Sequence, residues 1–156
     1  MSDEHYMRRC VELARGALVA GEVPVGAVVV DGDRIVGEGA ESVRGQFDPA
    51  AHAEVIAIRE ACRATRSLNL SGMTLYSTVE PCVLCAYVLR ATGVGRVVFG
   101  VPAGHLGGCT SSYPLLLDSG WPGPPPPITR GVLASECAEL MQAFVDRRAA
   151  REGPPA

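Results

Sequence analysis

The chain contains no lysine, a single asparagine and few aromatic residues. All 14 basic residues are arginines, and 17 acidic residues outnumber them, so the formal net charge is −3. This acidic balance argues mildly against a nucleic-acid partner, because contacts to phosphate groups dominate such binding. No apolar run approaches the ~20 residues that a membrane-spanning helix requires. The first residues also lack the basic and apolar stretches of a secretion signal. We therefore expect no membrane partner.

The six cysteines are unevenly spaced, which disfavours a disulfide framework. Reduced thiols are typical of the cytoplasm, where we expect this protein to lie. A length of 156 residues allows one substantial core and is too short for two ordinary domains. We predict a single domain over residues 1–150, followed by a frayed C-terminal tail over residues 151–156.

Hydrophobic periodicity predicts helices that alternate with strands. The predicted helices are an N-terminal helix ending near Gly21, a helix containing His52 to Cys62, a helix from Cys82 to about Gly93, and a final helix capped by Ser135. The predicted strands are 25–30, 34–38, 73–79, 96–100 and a short one opening at Ile128, and irregular loops are expected at 39–48 and 101–113. A strand, a helix and a strand in succession indicate a parallel pair with a right-handed crossover. These elements predict a three-layer α/β domain with a mixed sheet between helices.

Two short motifs carry the chemistry, His52-Ala53-Glu54 and Pro81-Cys82-Val83-Leu84-Cys85. One imidazole and two thiols make three zinc ligands, one fewer than a closed tetrahedral site needs. An open fourth position is where a catalytic zinc holds its water, and Glu54 would stand beside the metal without binding it. The alternative is a structural zinc site, for which His105, Cys109 or Cys62 could supply the fourth ligand.

The surroundings of both motifs resemble the start of a helix. Pro81 fits the first position of a helix, which would place Cys82 and Cys85 on one helical face. Asp48-Pro49 resembles a second helix start just before His52. Two helix N-termini would then converge on one metal and lower the pKa of the thiols.

The pairing of H-x-E with P-C-x-x-C resembles the cytidine deaminase-like superfamily of zinc deaminases. It is most similar to the branch of tRNA adenosine deaminases and guanine or cytosine deaminases. The resemblance covers most of the chain, in the stretches 23–28, 48–54, 74–76, 78–85, 95–100 and 131–133. It implies a three-layer α/β/α fold with a mixed five-stranded sheet, a bound Zn²⁺ and packing as a homodimer.

The same resemblance implies hydrolytic deamination by attack of zinc-bound hydroxide, with Glu54 carrying protons from the water to the substrate. It suggests substrate contacts at Val28, Ala53, Glu80 and His105. Relatives usually carry an asparagine after the second strand that binds the base or ribose, and here Glu41 occupies that position. A misalignment by one residue would bring Ala40 or Ser42 there instead.

These departures bear on the substrate. An ionised carboxylate at Glu41 only accepts hydrogen bonds, so the ligand should present a donor there. The long basic tail of bacterial tRNA deaminases is missing, because Arg151 is followed at once by an acidic residue and by prolines. We therefore predict a zinc deaminase of a small aminated heterocycle, such as a nucleobase or nucleoside. The alternatives are deamination of the tRNA anticodon adenosine, which we disfavour, and a non-catalytic zinc-stabilised module.

Overall fold

The computed structural model describes residues 1–152, the side chain of residue 152 excepted. Helices and strands alternate along the described chain, and two 3₁₀ turns occupy Gly104–Leu106 and Leu115–Leu117. In chain order, the helices and strands are α1 Asp3–Val19, β1 Gly26–Asp31, β2 Arg34–Ala40, α2 Val43–Gln46, α3 Ala53–Thr65, β3 Thr74–Val79, α4 Val83–Thr92, β4 Arg96–Val101, β5 Ile128–Arg130 and α5 Ala134–Glu152.

The strands form one mixed sheet in the order β2-β1-β3-β4-β5. Strand β1 pairs antiparallel with β2 and β3, whereas β3, β4 and β5 run parallel. Strands β3 and β4 are covered on both faces, as parallel strands usually are, and their central residues are buried without alternation. The predicted mixed five-stranded sheet and its parallel pair are confirmed.

Helices cover both faces of the sheet and define two hydrophobic cores. Successive residues of β1 point to opposite faces, so Val28 packs with Met7 of α1 and Cys137 of α5, while Val29 packs with Ile58 of α3. Helix α4 joins α3 on the second face. The predicted three-layer arrangement is confirmed. In the part of the chain that the structure describes, no helix is long and apolar enough to span a membrane.

Two glycines of β2 allow α3 to lie directly on the sheet. A Cβ atom at Gly39 would stand 2.0 Å from the carbonyl oxygen of Ala53, and one at Gly37 would stand 2.1 Å from that of Ala57. Any larger residue would push α3 away from β2. The first turn of α3 is therefore held close to the sheet, next to His52.

Several predicted boundaries are wrong by a few residues. His52 and Cys82 are N-cap residues with extended backbones, so neither lies inside its helix, and Pro81 precedes the helix rather than opening it. The predicted loop 39–48 contains the four-residue helix α2. Ser135 lies inside α5, which begins one residue earlier. Of the predicted frayed tail, Arg151 still belongs to α5, and residues 153–156 lie outside the described residues.

Arg90 of α4 holds the proline-rich connection that precedes β5 against helix α4. Its Nη2 atom donates to the carbonyl oxygens of Asp118, Trp121 and Gly123 at 3.2–3.4 Å. The guanidinium also stands 5.9 Å from the Trp121 ring centre, and Tyr87 packs edge-on against that ring. Trp121 therefore acts as a packing anchor for the connection.

Candidate active site

His52, Cys82 and Cys85 meet at the converging ends of two helices. His52 precedes α3 and Cys82 precedes α4, so both side chains project from a helix N-terminus. Their ligand atoms lie within 4.8 Å of one another, and no other His, Cys, Asp or Glu in the described residues joins this group. Cys109, one proposed fourth ligand, instead points its Sγ at the carbonyl oxygen of Pro81.

The distances within this cluster fit a zinc ion. The Nδ1 atom of His52 lies 3.5 Å from the Cys82 Sγ and 3.6 Å from the Cys85 Sγ, and the two sulfur atoms are 3.8 Å apart. Tetrahedral zinc with ordinary Zn–S and Zn–N bonds separates such ligand atoms by roughly 3.6–3.8 Å. The three side chains thus match one face of a zinc tetrahedron and leave its fourth corner to a non-protein ligand.

Without metal, the cluster already favours a thiolate. A hydrogen bond from Cys85, together with one from His52, lowers the pKa of Cys82 to about 4 despite its partial burial. The same pairing raises the pKa of Cys85, and the bond to Cys82 raises the pKa of His52 to about 9. Because zinc binds thiolate and neutral imidazole, its binding would displace the remaining protons.

Glu54 lies beside the cluster and is almost completely buried, with 3% of its surface exposed. Its Oε1 accepts a hydrogen bond from the Ser77 hydroxyl at 2.9 Å, and its Oε2 lies 3.4 Å from the Cys85 Sγ. Burial raises the pKa of Glu54 above the usual range for a carboxyl group. A buried carboxyl group whose pKa is raised holds its proton more readily than an exposed one, which suits acid–base work.

Ser77 is a site residue that the sequence analysis missed. It is fully buried in the middle of β3 and presents the only hydroxyl that bonds Glu54 in the described residues. A polar residue between Tyr76 and Thr78 in a strand is an ordinary pattern. Nothing in the sequence near Ser77 shows that its side chain meets Glu54, because 23 residues separate them.

A cavity of about 300 Å³ opens in front of the cluster. This volume is at the lower end of the range of small-molecule pockets. The polar side chains in its wall belong to Glu41, His52, Glu54, Glu80 and Cys82. The apolar part of the wall comes from four separate segments of the chain and comprises Val23, Val25, Val79, Val101, Pro102, Ala103, Leu106 and Met141.

Glu41 reaches this cavity, whereas Ala40 and Ser42 do not line it. Its side chain is largely buried, and its Oε2 accepts a hydrogen bond from the backbone amide of Ala53 at 3.1 Å. Burial raises the pKa of Glu41 to about 7, and the ionised Glu54 contributes in the same direction. His52 opposes this shift only in part.

Glu80 is almost completely buried and forms part of the cavity wall, and its carboxylate is bonded by the protein itself. Both oxygens accept hydrogen bonds from the loop that follows β4, including the backbone amides of Ala103, Thr110 and Ser111. Burial by itself would raise the pKa of Glu80, but the donors, Ser111 foremost, outweigh it and lower the pKa. No ion pair of Glu80 is found in residues 1–152.

The remaining predicted contacts lie apart from the cavity wall. Val28 is buried in the core on the opposite face of the sheet, against α1. The Ala53 side chain is packed in the second core, and only its backbone amide approaches the site, through Glu41. His105 is exposed on the loop and does not line the cavity, although the adjacent Leu106 and the nearby Ala103 do. Cys62 lies half-buried on α3, away from the metal cluster.

Comparison with known proteins places this site in a family. The family described as the cytidine and deoxycytidylate deaminase zinc-binding region matches residues 1–101. The chain belongs to this family. It is therefore a zinc-binding hydrolytic deaminase, and the predicted Zn²⁺ cofactor is confirmed, with His52, Cys82 and Cys85 as the cluster that can hold the ion.

Two individual relatives are similar to this chain in sequence. The tRNA-specific adenosine deaminase of Haemophilus influenzae is 40% identical over 94% of this chain and 84% of its own length. The chloroplastic tRNA(adenine(34)) deaminase of Arabidopsis thaliana is also 40% identical, and the chain spans 12% of its length.

Two solved structures are also similar. One comes from work on A-to-I editing by tRNA:A34 deaminases, with a TM-score of 0.83, 32% identity and coverage of 87% of this chain and 98% of that chain. The other is a guanine deaminase from Bacillus subtilis, with a TM-score of 0.63, 36% identity and coverage of 65% of this chain and 66% of that chain.

Proposed function

We propose that this protein hydrolytically deaminates an adenosine in RNA, and that the target is the wobble adenosine of a tRNA anticodon. The observation that carries the deaminase chemistry is the buried Glu54 carboxyl, held by Ser77 next to the three-ligand cluster at the end of a base-sized cavity. The choice of an RNA adenosine rests on the relatives, which support the alternative of the sequence analysis better than its main prediction.

Each residue has a distinct part in the proposed reaction. His52, Cys82 and Cys85 would hold the zinc, which would act as a Lewis acid and activate water. Glu54 accepts a proton from the attacking water and delivers it to ring nitrogen N1, beside the amine-bearing carbon. It then takes the second proton from the hydroxyl group that has been added to this carbon and delivers it to the amino group, and the carbon–nitrogen bond breaks to release ammonia, so that adenosine and water become inosine and ammonia. Ser77 keeps the Glu54 carboxyl turned towards the cluster.

A group of arginines beside the cavity supports an RNA substrate. Arg44 of α2 and the α5 residues Arg147, Arg148 and Arg151 line one depression together with the end of α1. The depression and the active-site cavity are lined by nearby parts of the chain, because Glu41 and Arg44 are three residues apart, as are Met141 and Phe144 on α5. Within α5, three residues correspond to a rise of about 4.5 Å. Phosphates next to the bound adenosine could therefore contact these arginines although the chain is acidic overall.

A small aminated heterocycle is the second candidate, and Glu41 is the observation that favours it. Its largely buried carboxylate in the cavity wall suits a ligand with an additional N–H or hydroxyl donor. Guanine offers a ring N–H donor at N1 that adenine lacks, and a guanine deaminase is among the similar structures. In an RNA adenosine, the ribose 2′-hydroxyl is the donor that could meet Glu41.

The decisive experiment compares the two substrate classes on zinc-loaded protein. Ammonia and inosine formation are measured with a tRNA anticodon arm containing a wobble adenosine, and ammonia alone with free adenine, adenosine, guanine and cytosine. Turnover of the RNA at a much higher kcat/KM is expected. Efficient turnover of guanine or another small molecule, with none of the RNA, would replace this proposal by the second candidate.

A double substitution of Arg44 and Arg151 by glutamine tests the RNA surface. We expect KM for the RNA to rise by about 10-fold and the salt dependence to become shallower, with kcat nearly unchanged. The matched control replaces Arg34 and Arg63, two exposed arginines outside the depression, and should leave KM unchanged. Equal effects of the two double variants would mean that general charge, and not this surface, attracts the RNA.

We also propose that the protein forms a homodimer and that it lies in the cytoplasm. Exposed apolar side chains on α4, namely Val83, Leu84 and Tyr87 at 39–53% exposure, support a partner subunit on that face. All six cysteines are free, which supports a reducing compartment. Sedimentation equilibrium of the purified protein measures the oligomeric state directly.

A further inference from the structure

Glu80 has more hydrogen-bond donors around it than any role in binding a substrate would require. Its Oε1 accepts from the backbone amides of Cys109, Thr110 and Ser111 at 3.2, 2.7 and 3.0 Å, and from the Thr110 hydroxyl at 3.4 Å. Its Oε2 accepts from the amide of Ala103 at 3.0 Å and from the Ser111 hydroxyl. All of these donors belong to the loop between β4 and the Leu115–Leu117 turn, which we call the 101–113 loop.

The 101–113 loop forms one wall of the cavity. Val101, Pro102, Ala103 and Leu106 line the cavity, as do Glu41 and Glu54. The loop has little regular structure of its own, with one 3₁₀ turn at Gly104–Leu106. A segment with so few backbone hydrogen bonds of its own needs other partners to hold a single conformation.

The same loop is joined to the turn that carries the metal ligand Cys82. Gly107 pairs with Cys82 in an isolated β-bridge, and the amide of Gly108 donates to the carbonyl oxygen of Pro81 at 2.9 Å. A Cβ atom at Gly107 would stand 2.6 Å from the Glu80 Oε2, and one at Gly108 would stand 2.6 Å from the Cys82 carbonyl oxygen. The loop, Glu80 and the Cys82 turn are thus in direct contact.

We infer that Glu80 is a positioning residue, which fixes the substrate-facing wall of the cavity relative to the metal-binding turn. It acts through the loop, and its carboxylate oxygens are occupied by the loop's donors. A carboxylate suits this task because it offers only acceptors to a set of donors. Glutamine has nearly the same shape but would direct its NH₂ group at N–H donors, leaving some of them unpaired.

The test compares Glu80→Gln and Ser111→Ala with the matched control Asp3→Asn. Asp3 also accepts hydrogen bonds through its carboxylate, from Arg96 and Tyr76, but at the distant N-terminus of α1. The measurements are zinc content, hydrogen–deuterium exchange of the segment 103–113, and kcat and KM with the anticodon-arm RNA.

For Glu80→Gln we expect unchanged zinc content, exchange in the segment 103–113 faster by about 10-fold or more, and KM raised by about 10-fold with kcat changed less. Ser111→Ala should shift exchange and KM in the same direction by a smaller factor, and it carries the test alone if Glu80→Gln does not fold. Asp3→Asn should alter neither quantity. Unchanged exchange of the segment 103–113 in both Glu80→Gln and Ser111→Ala, or a loss of activity that follows a loss of zinc, would overturn the inference.

This inference rests on the proposed function for its kinetic measurement only. If the wild-type protein deaminates no RNA, the proposed function fails, while exchange of the loop still tests Glu80. If the wild-type protein deaminates the RNA, and Glu80→Gln and Ser111→Ala have the same loop exchange and the same kinetics as wild type, only the inference about Glu80 fails.

Discussion

Glu54 and Glu80 lie in neighbouring regions of the site and differ in what surrounds their carboxyl groups. Both side chains are nearly inaccessible, at 3% and 2% exposure. Glu54, in the first turn of α3, receives one hydroxyl and one thiol, and its pKa is raised by burial. Glu80, at the end of β3, is enclosed by donors from the 101–113 loop, and its pKa is lowered.

The difference shows that burial alone does not decide in which direction the pKa of a carboxyl group is shifted. Desolvation opposes ionisation at both positions, and the number of donors decides which effect prevails. Where donors are many, the carboxylate is stable as an anion and serves the structure. Where donors are few, burial raises the pKa and the group holds a proton more readily, as a general acid must.

The largest expected effect is that of Glu54→Gln, which would test whether Glu54 is the proton carrier of the proposed reaction. Turnover should fall by about 10³-fold, because the proton carrier is removed, whereas zinc content should stay the same. Ammonia release and zinc content are measured together. Glu60→Gln, on the same helix but bonded to the Glu38 amide, is the control and should remain active. Substantial activity of Glu54→Gln would remove Glu54 from the mechanism.

The second prediction concerns Glu41, which accepts a hydrogen bond from one backbone amide and whose raised pKa resembles that of Glu54 rather than that of Glu80. Its folded-state pKa is raised to about 7, so ionisation of Glu41 destabilises the fold as the pH rises from about 4.5 to 7. Glu41→Gln cannot ionise, and in metal-free protein it should gain about 2 kcal/mol relative to wild type between pH 5 and pH 8.

Urea denaturation of metal-free wild type and Glu41→Gln at the two pH values measures this difference, since titration of the cysteines and His52 affects both proteins. A constant difference in unfolding free energy would show that Glu41 remains ionised throughout and that its environment resembles that of Glu80.

The smallest effect is expected for Asp3→Asn, a well-partnered carboxylate far from the site. A hydrogen bond from Arg96 lowers the pKa of Asp3, against burial, and Tyr76 assists. A lowered folded-state pKa stabilises the fold above the unfolded-state pKa, and this contribution disappears as the pH falls through the folded-state pKa. Asp3→Asn should therefore cost about 1 kcal/mol at pH 7 and less at pH 3, with turnover unchanged. A cost that grows towards acid pH would contradict the assigned sign.

The metal cluster was largely predictable because its information is local. Cys82 and Cys85 are three residues apart, His52 and Glu54 are two apart, and the zinc ligand types and the helix starts are visible in short stretches. The exact helix boundaries were not predictable. His52 and Cys82 cap their helices, and whether a residue before a helix is helical or extended depends on what its side chain and backbone meet.

The partners of the two central carboxyl groups were beyond sequence analysis. Ser77 lies 23 residues from Glu54, and the donors to Glu80 lie 23–31 residues away in an irregular loop. Val28 illustrates the converse, because its place in a matching stretch did not show that it faces the core under α1. In a strand, adjacent residues face opposite sides, so a sequence match alone does not show which residues reach a pocket.

The sequence by itself predicted the candidate zinc ligands, the family and the three-layer fold with its mixed sheet, because motif spacing and hydrophobic periodicity are properties of short segments. Only the tertiary structure decided which residues surround the metal cluster. It brought Arg44 of α2 next to Arg147 and Arg151 of α5, and it enclosed Glu80 with donors while leaving Glu54 few. Charge, burial and hydrogen-bond supply at a site are sums over segments distant in sequence, so they exist only once the chain has folded.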